Sequence, residues 1–304
     1  MVFGGSGFLG SHVADCLSDR NYDVHILDLV RSPYLRKDQK MVEGDILDPV
    51  RVCEVVRGAD YVYNFAGLAD MDSATTRPVD TVNLNIMGNL NILEACVRNH
   101  VSRYVFASTI YVYSQKGGFY RCSKQASELY IEEYNRRYGL GFTILRYGTL
   151  YGTRADERNS IYSYLKQALE TGHLEVMANG EEVREYINVK DAARLSVDIL
   201  SERYKNKHMI ITGHHPMKYI DMLKMIKEIL GTELTVEYND DYSDHYNYTP
   251  YSFVPKIGHK LVSNEYLEMG NGLLEVMNEI YQKTRGVEKK EPEAIDNGGV
   301  RVVH

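Results

Sequence analysis

The chain has 304 residues, 44% of them hydrophobic and 25% charged, with a formal net charge of -7. That length and apolar content can bury one large core or two closely joined ones, and the mild acidity, without a basic stripe, points away from a nucleic-acid partner. No apolar run reaches the roughly 18 residues of a membrane span and no positive segment opens the chain, so neither a span nor a secretion signal is expected, and the expected compartment is the cytoplasm. Cys16, Cys53, Cys96 and Cys122 lie far apart without a C-x-x-C pair and read as free thiols, and none of the ten histidines falls in an H-E-x-x-H or other metal spacing.

The first seventeen residues, MVFGGSGFLGSHVADCL, read as strand, glycine-rich turn and helix, with Leu9, Val13 and Leu17 at helical spacing. Gly4, Gly7 and Gly10 form a G-x-x-G-x-x-G pattern. A turn that tight needs residues without Cβ, a pyrophosphate must come close to the backbone, and the helix start offers it unpaired N–H groups. Only Val2 and Phe3 precede the first glycine, so the natural start is expected upstream, or Met1 to be internal. The strand from Val24 to Leu27 ends in Asp28, 24 positions after Gly4. An acid there accepts the ribose hydroxyls of NAD and repels the 2′-phosphate of NADP, which a plain turn aspartate would not do; Arg31 nearby would soften the preference.

Asp48 and Pro49 mark the next helix as N-cap and first helical residue. Tyr61 to Gly67 reads as a strand ending in small residues, suited to passing under a dinucleotide. A helical pattern from Val79 to Asn99 follows, carrying Asn83, Asn85, Asn89 and Asn91; asparagine is a poor helix former, so four of them ask for partners. Tyr104 to Ala107 is a strand running into the hydroxyl pair Ser108 and Thr109, and Tyr120 and Lys124 come four positions apart. If a helix opens at Tyr120, that spacing stacks phenol and ammonium on one face. A cation there favours phenolate, pulling the Tyr120 pKa below its ordinary value of about 10, while the Thr109 hydroxyl could hold a substrate alcohol beside it. The helix continues to Tyr138 and GFTILRYGTLYG reads as a sixth strand. Strand and helix in alternation predict an α/β fold built on a doubly wound parallel sheet.

Beyond Gly152 the alternation weakens. A helix near Ile161 to Thr171, a turn at Asn179-Gly180, a strand from Glu185 to Val189, a helix capped by Asp191, a helix from Tyr219 to Leu230 and a tyrosine-rich stretch from Tyr238 to Tyr251 are expected. The expected division is a dinucleotide-binding domain over 1–152, rejoined by 186–212, then a smaller C-terminal α/β substrate lobe from 153–185 and 213–285, and a mobile tail over 286–304. His214 and His215 read as loop residues.

Each motif alone is weak: with 25 tyrosines, a Y-x-x-x-K is expected about once by chance. Taken in order, GGSGFLG, the Asp28 strand end, GDILD, NFAG, NLNIMGNLNILEA, FASTIYVY, YRCSK, LRYGTLYG and NGEEVREYINVKDAA resemble an extended short-chain dehydrogenase/reductase of the NAD-dependent epimerase/dehydratase family, from Val2 to about Lys283. The resemblance implies a Rossmann-like fold, NAD as cofactor, a nucleotide-sugar substrate and a homodimer. It makes Tyr120 the acid/base, Lys124 the residue that lowers its pKa and grips the nicotinamide ribose, and Thr109 the partner of the reacting sugar hydroxyl. On the cofactor it places Gly4, Gly7, Phe8, Leu9, Gly10, Asp28, Asp45, Ile46, Phe65, Ala66, Gly67, Asn85 and Tyr147; on the substrate, Thr149 and Arg184 with Thr109 and Tyr120.

Three departures narrow the reading. The dehydratase branch carries an Asp-Glu pair after the catalytic Thr, because eliminating water needs its own acid and base, and a decarboxylase-like branch keeps a Glu there; this chain has Ile110 and Tyr111. The loop from Thr109 to Tyr120 spans 11 positions, shorter than the family usually shows, and Thr149 stands where many epimerases have Asn. The reading is therefore an NAD-dependent nucleotide-sugar 4-epimerase working through a transient 4-keto sugar. A one-way 4-dehydrogenase or keto-sugar reductase with net cofactor turnover is the alternative, and a catalytically silent dinucleotide-binding scaffold or sensor the second.

Overall fold

β1 (Val2–Phe3) shows in two residues how the sheet is built: Val2 enters one apolar layer and Phe3 the other, because Cβ direction alternates along a strand. A computed structural model describes residues 1–113, 117–176, 182–213, 216–230 and 235–238. After β1 come α1 (Phe8–Asp19), β2 (Val24–Asp28), β3 (Gln39–Glu43), α2 (Pro49–Val56), β4 (Tyr61–Asn64), α3 (Met71–Thr76), α4 (Pro78–Val82), α5 (Gly88–Arg98), β5 (Arg103–Thr109), α6 (Gly118–Tyr138) and β6 (Phe142–Tyr147). They are followed by β7 (Thr149–Tyr151), α7 (Ser160–Thr171), β8 (His173–Val176), β9 (Val183–Arg184), β10 (Tyr186–Asn188), α8 (Val189–Asp198), β11 (Lys207–Ile211), β12 (Met217–Lys218), α9 (Tyr219–Leu230) and β13 (Thr235–Tyr238).

Seven strands form one parallel sheet in the order β3-β2-β1-β4-β5-β6-β11. This is the doubly wound, Rossmann-like arrangement. Its order reverses between β1 and β4, and the crevice beyond the carboxyl ends there is where such sheets bind ligands. On one face Val2, Ile26, Tyr63, Val105 and Leu145 pack against Val13 and Leu17 of α1 and Ala193 and Val197 of α8. On the other, Phe3, Leu27, Val62, Phe106 and Ile144 pack against Val52 of α2, Ile92 of α5 and Ile131 of α6. A third cluster joins Ala168, Leu174, Val176, Tyr219 and Leu223 from α7, β8 and α9, with β13 beside β8 and β12 beside β9. A cavity of about 250 Å³, lined by Met1, Leu17, Val24 and Tyr61 among others, lies at the amino ends of β1, β2 and β4, away from the crevice.

The structure departs from the expected elements in five instructive places. The helix expected from Val79 to Asn99 is interrupted by a π-helical turn at Asn83–Met87, a feature that often marks functional sites. The sixth strand breaks at Gly148, where an added Cβ would lie 2.8 Å from the Glu185 carbonyl oxygen, so the chain leaves the sheet and β7 pairs with β10 instead. α8 is capped by Asn188, whose side chain accepts from Lys190 N, and Asp191 lies in the first turn. α6 starts at Gly118, ahead of Tyr120, behind Gly117 at φ 92°. β3 was not foreseen, because its single fully buried residue, Gln39, leaves no alternating apolar signal. Asn179-Gly180, His214, His215, the tyrosine-rich stretch past Tyr238 and the tail lie outside the described residues. Among the described residues no helix is long and apolar enough to cross a membrane, and no group of three or more ligating side chains could hold a metal ion.

Candidate active site

The glycine-rich turn forms because nothing larger fits. Gly4, at φ 77°, hangs from the Leu27 carbonyl by its N–H, and a Cβ there would lie 2.5 Å from Ala66 N. A Cβ on Gly10 would lie 2.2 Å from the Gly4 carbonyl oxygen, so α1 can approach the turn only as glycine. α1 begins at Phe8 and Leu9 behind Gly7 with no side-chain cap, which leaves its first N–H groups for an anion. Asp28, at the end of β2, accepts from Ser6 N through Oδ2 (2.9 Å), and the Ser6 hydroxyl donates to Val30 O (2.7 Å). That tie was not visible in the sequence; it fixes the carboxylate beside the turn and leaves Oδ1 for ribose hydroxyls. Arg31 is exposed. The donor set therefore fits a dinucleotide: N–H groups for its phosphates and a carboxylate for a ribose.

Asp45 Oδ1 accepts from Leu47 N, while the Ile46 side chain is buried and its carbonyl accepts from Asn91 Nδ2, so Ile46 can offer a ligand only its main chain. β4 runs into Phe65, Ala66 and Gly67; Phe65 stacks on Tyr63, and Ala66 N donates to Asn64 Oδ1. Gly67, at φ 142°, passes so close to Asn85 that a Cβ would lie 2.5 Å from its Oδ1. Asn85 is the centre of this corner. Its Oδ1 accepts from Leu68 N (2.7 Å), and its Nδ2 donates to Leu68 O (3.0 Å) and Ser123 Oγ (2.9 Å). Ser123 in turn donates to the Tyr120 carbonyl, and Ser127 to the Asn85 carbonyl. Asn85 thus positions the loop after β4 and α6 and is not itself presented as a cofactor ligand. The helix asparagines did need partners, and the π turn is what turns this one inward.

β5 delivers Thr109, buried, to the crevice; a 3-10 turn at Ile110–Tyr113 follows, and α6 brings Tyr120 and Lys124 back over it. Tyr111 N donates to Thr109 Oγ1 (3.2 Å), leaving the Thr109 hydroxyl hydrogen for the Tyr120 oxygen, to which it is hydrogen-bonded. Lys124 Nζ donates to Ala107 O at 2.8 Å and lies 5.7 Å from the Tyr120 ring centroid. The three expected catalytic residues are together. Their ionisation is not as expected: burial pushes the Tyr120 phenol up to about 12, with only the Thr109 hydrogen bond opposing, and burial pulls Lys124 down to about 8. Removing the phenolate from water outweighs an ammonium that is directed at the Ala107 carbonyl. Tyr120 accordingly holds its proton at neutral pH in this arrangement.

Three expected residues remain, Tyr147, Arg184 and Thr149. Tyr147, in register with Thr109, is buried and its hydroxyl is hydrogen-bonded to Ser196 Oγ of α8 (2.6 Å), so it packs the core and offers the cofactor no hydroxyl. Arg184 is buried on β9, held by Glu182 Oε2 (3.0 Å), with its guanidinium 4.6 Å from the Tyr219 ring centroid. Thr149 opens β7, half-buried, with its N–H on Glu185 O.

The profile of the NAD dependent epimerase/dehydratase family matches residues 1–212. The chain belongs to that family. NAD is accordingly its cofactor, and the cradle described above fits it. Over 252 residues the chain is 28% identical to a putative UDP-glucose 4-epimerase of Methanocaldococcus jannaschii, covering 76% of this chain and 82% of that one. Among solved structures it is similar to UDP-glucose 4-epimerase of Thermotoga maritima with UDP-glucose (26% identity, TM-score 0.76, 81% and 87% of the two chains). It is also similar to UDP-glucose 4-epimerase of Thermus thermophilus with NAD (26% identity, TM-score 0.72, 85% and 94%).

Proposed function

We propose that this enzyme is a nucleotide-sugar 4-epimerase that acts through a transient 4-keto sugar. One observation carries the reading: Thr109, Tyr120 and Lys124 are assembled at the end of β5, while the two positions after Thr109 are Ile110 and Tyr111, so the turn brings no carboxylate there for eliminating water. The similarity to UDP-glucose 4-epimerases supports a uridine diphosphate sugar as substrate.

NAD, when bound, supplies a nicotinamide able to take up and return a hydride. This chain's residues manage the proton and the sugar. Thr109 Oγ1, fixed by Tyr111 N, offers the sugar C4 hydroxyl a hydrogen-bond partner; the Tyr120 oxygen beside it, once it has released its own proton to solvent, takes the hydroxyl proton and later gives it back. Lys124 keeps a positive charge against the phenol and makes its ionised form attainable. For the sugar to turn over between the two proton transfers it must be held by its far end, and Arg184 is the cation suited to a diphosphate or nucleotide. We place the nucleotide-binding lobe in the cluster of α7, β8, β9 and α9, and a homodimer through the outer faces of α5 and α6, where Leu129 and Tyr130 are exposed.

The experiment is to incubate purified protein and NAD with UDP-, dTDP-, GDP- and CDP-hexoses and to follow C4 configuration by NMR. Inversion in at least one, the uridine sugar first, is expected; no change at C4 in any of them sinks the reading.

A further inference from the structure

We propose that Glu128 is a positioning residue for the proton transfer: its carboxylate, one turn along α6 from Lys124, is the counter-charge that keeps that buried amine protonated, and its grip on Arg146 fixes the turn that follows Thr109. The inference rests on the roles of Tyr120 and Lys124 proposed above.

Glu128 lies one helical turn past Lys124 and two past Tyr120, so the three share one face of α6. It is buried, and a buried carboxylate must be matched. Ser108 Oγ, on β5, donates to Oε1 at 2.5 Å; Arg146, the register partner of Ser108 on β6, donates to Oε1 through Nε (3.0 Å) and to Oε2 through Nη2 (2.5 Å). The carboxylate is thereby fixed in a two-pronged geometry.

Arg146 then reaches out of the strand in two directions. Its Nη1 donates to the Tyr113 hydroxyl (2.5 Å), with the guanidinium carbon 4.7 Å from that ring's centroid. Its Nη2 also donates to His208 Nδ1 on β11 (2.9 Å). A guanidinium has only hydrogens to offer, so His208 accepts at Nδ1 and presents its Nε2–H to Glu132 (2.9 Å). From α6, Gln125 Nε2 donates to the Val112 carbonyl (2.8 Å). The 3-10 turn after Thr109 is therefore held at Tyr113 by the contacts that begin at Glu128, and at Val112 by Gln125.

The same carboxylate acts on Lys124. The titratable and charged groups gathered here are Tyr120, Glu128 and Glu132 on α6, Tyr113 in the turn, Arg146 on β6 and His208 on β11. Burial works against the Lys124 ammonium, and Glu128 is the charge that opposes it. Without Glu128, Lys124 would lose its proton at lower pH and stand beside Tyr120 as a neutral amine, unable to favour phenolate.

The test is Glu128→Gln in the full-length protein. With ¹⁵N-lysine-labelled protein and the Lys124 signal assigned through Lys124→Arg, the Lys124 titration is expected to move down by about 1 pH unit, the size of one nearby opposite charge. The alkaline limb of kcat should move with it, and Glu128→Asp should restore most of both. A folded Glu128→Gln protein whose Lys124 titrates as in wild type overturns the proposal, because a purely structural ion pair would alter stability without moving that titration. If Glu128→Gln does not fold, Glu128→Gln/Arg146→Met removes the buried pair together and carries the same measurement, with a smaller downward movement expected because the Arg146 cation leaves with the Glu128 anion; an upward movement or none overturns the proposal. Tyr113→Phe should lower kcat about threefold through the loosened turn while leaving the Lys124 titration in place; unchanged kcat would overturn the anchoring half. Because the NMR titration needs no sugar, it decides the role of Glu128 even if every epimerase assay fails.

Discussion

The two sides of the crevice are made differently. On the cofactor side, main chain does most of the holding: three glycines bring backbone to backbone, an uncapped helix start faces the turn, and Asn64 and Asn85 are used to hold the peptide groups of Ala66 and Leu68. On the side of β9 and α9, buried charged side chains crowd together; among the described residues Glu182 and Glu185 each keep one buried carboxylate oxygen without a hydrogen-bond partner. A dinucleotide is a constant ligand and can be met by fixed backbone, whereas a sugar that must turn over calls for side-chain contacts at one end only. Thr109, Tyr120 and Lys124, the proposed catalytic group, lie at the end of β5 and on α6.

Replacements on the two sides should therefore fail in different ways. Tyr120→Phe should lower kcat about 10³-fold while leaving NAD affinity near wild type, measured by steady-state kinetics and calorimetry. A comparable loss of NAD binding would blur the division. Asn85→Ala, on the cofactor side, removes three hydrogen bonds and strands the half-buried Leu68 peptide groups; a loss of about 2–3 kcal/mol in denaturant unfolding is expected, with weaker NAD binding alongside. Arg184→Met, on the other side, should raise KM about tenfold with little change in kcat, and NAD affinity should not move.

The two buried ionisable groups also make stability depend on pH. Lys124 releases its proton near 8 in the folded protein and near its ordinary 10.5 when unfolded, so between those values the unfolded chain binds the extra proton. Its contribution then makes stability rise with pH across that window. Tyr120 acts oppositely and higher: its folded value of about 12 lies above the ordinary 10, so the stability from its buried neutral phenol is present below 10 and is lost as pH rises toward 12. The difference in unfolding free energy between wild type and Lys124→Met should shift in favour of wild type from pH 8 to pH 10; a difference that stays flat would place the Lys124 ammonium in a wetter setting than the structure shows.

How much of this could be read from the chain follows from the same contrast. The glycine spacing, the Asp28 strand end and the Tyr120–Lys124 interval are local, so alternation and spacing revealed them, and the ordered set of motifs revealed the family. What escaped depends on partners far away in sequence. That Asn85 would serve Leu68 and Ser123, that Tyr147 would serve Ser196, and that the strand would break at Gly148 against Glu185 are all consequences of packing between elements. The Tyr120 pKa was misjudged for the same reason: the spacing to Lys124 is visible in the sequence, but the burial that outweighs it is not. Ser123, Ser127 and Glu128 did leave a trace, since all three follow Tyr120 at intervals that return to the inner side of α6.

The central claim is that Thr109, Tyr120 and Lys124 invert a sugar carbon with no net use of cofactor. It is tested most directly by adding UDP-glucose and NAD to the purified protein while recording the C4 configuration by NMR and the absorbance at 340 nm in the same sample. Conversion at C4 with no lasting rise in absorbance is expected; absorbance that climbs in step with substrate loss would make the protein a one-way dehydrogenase and overturn the epimerase reading.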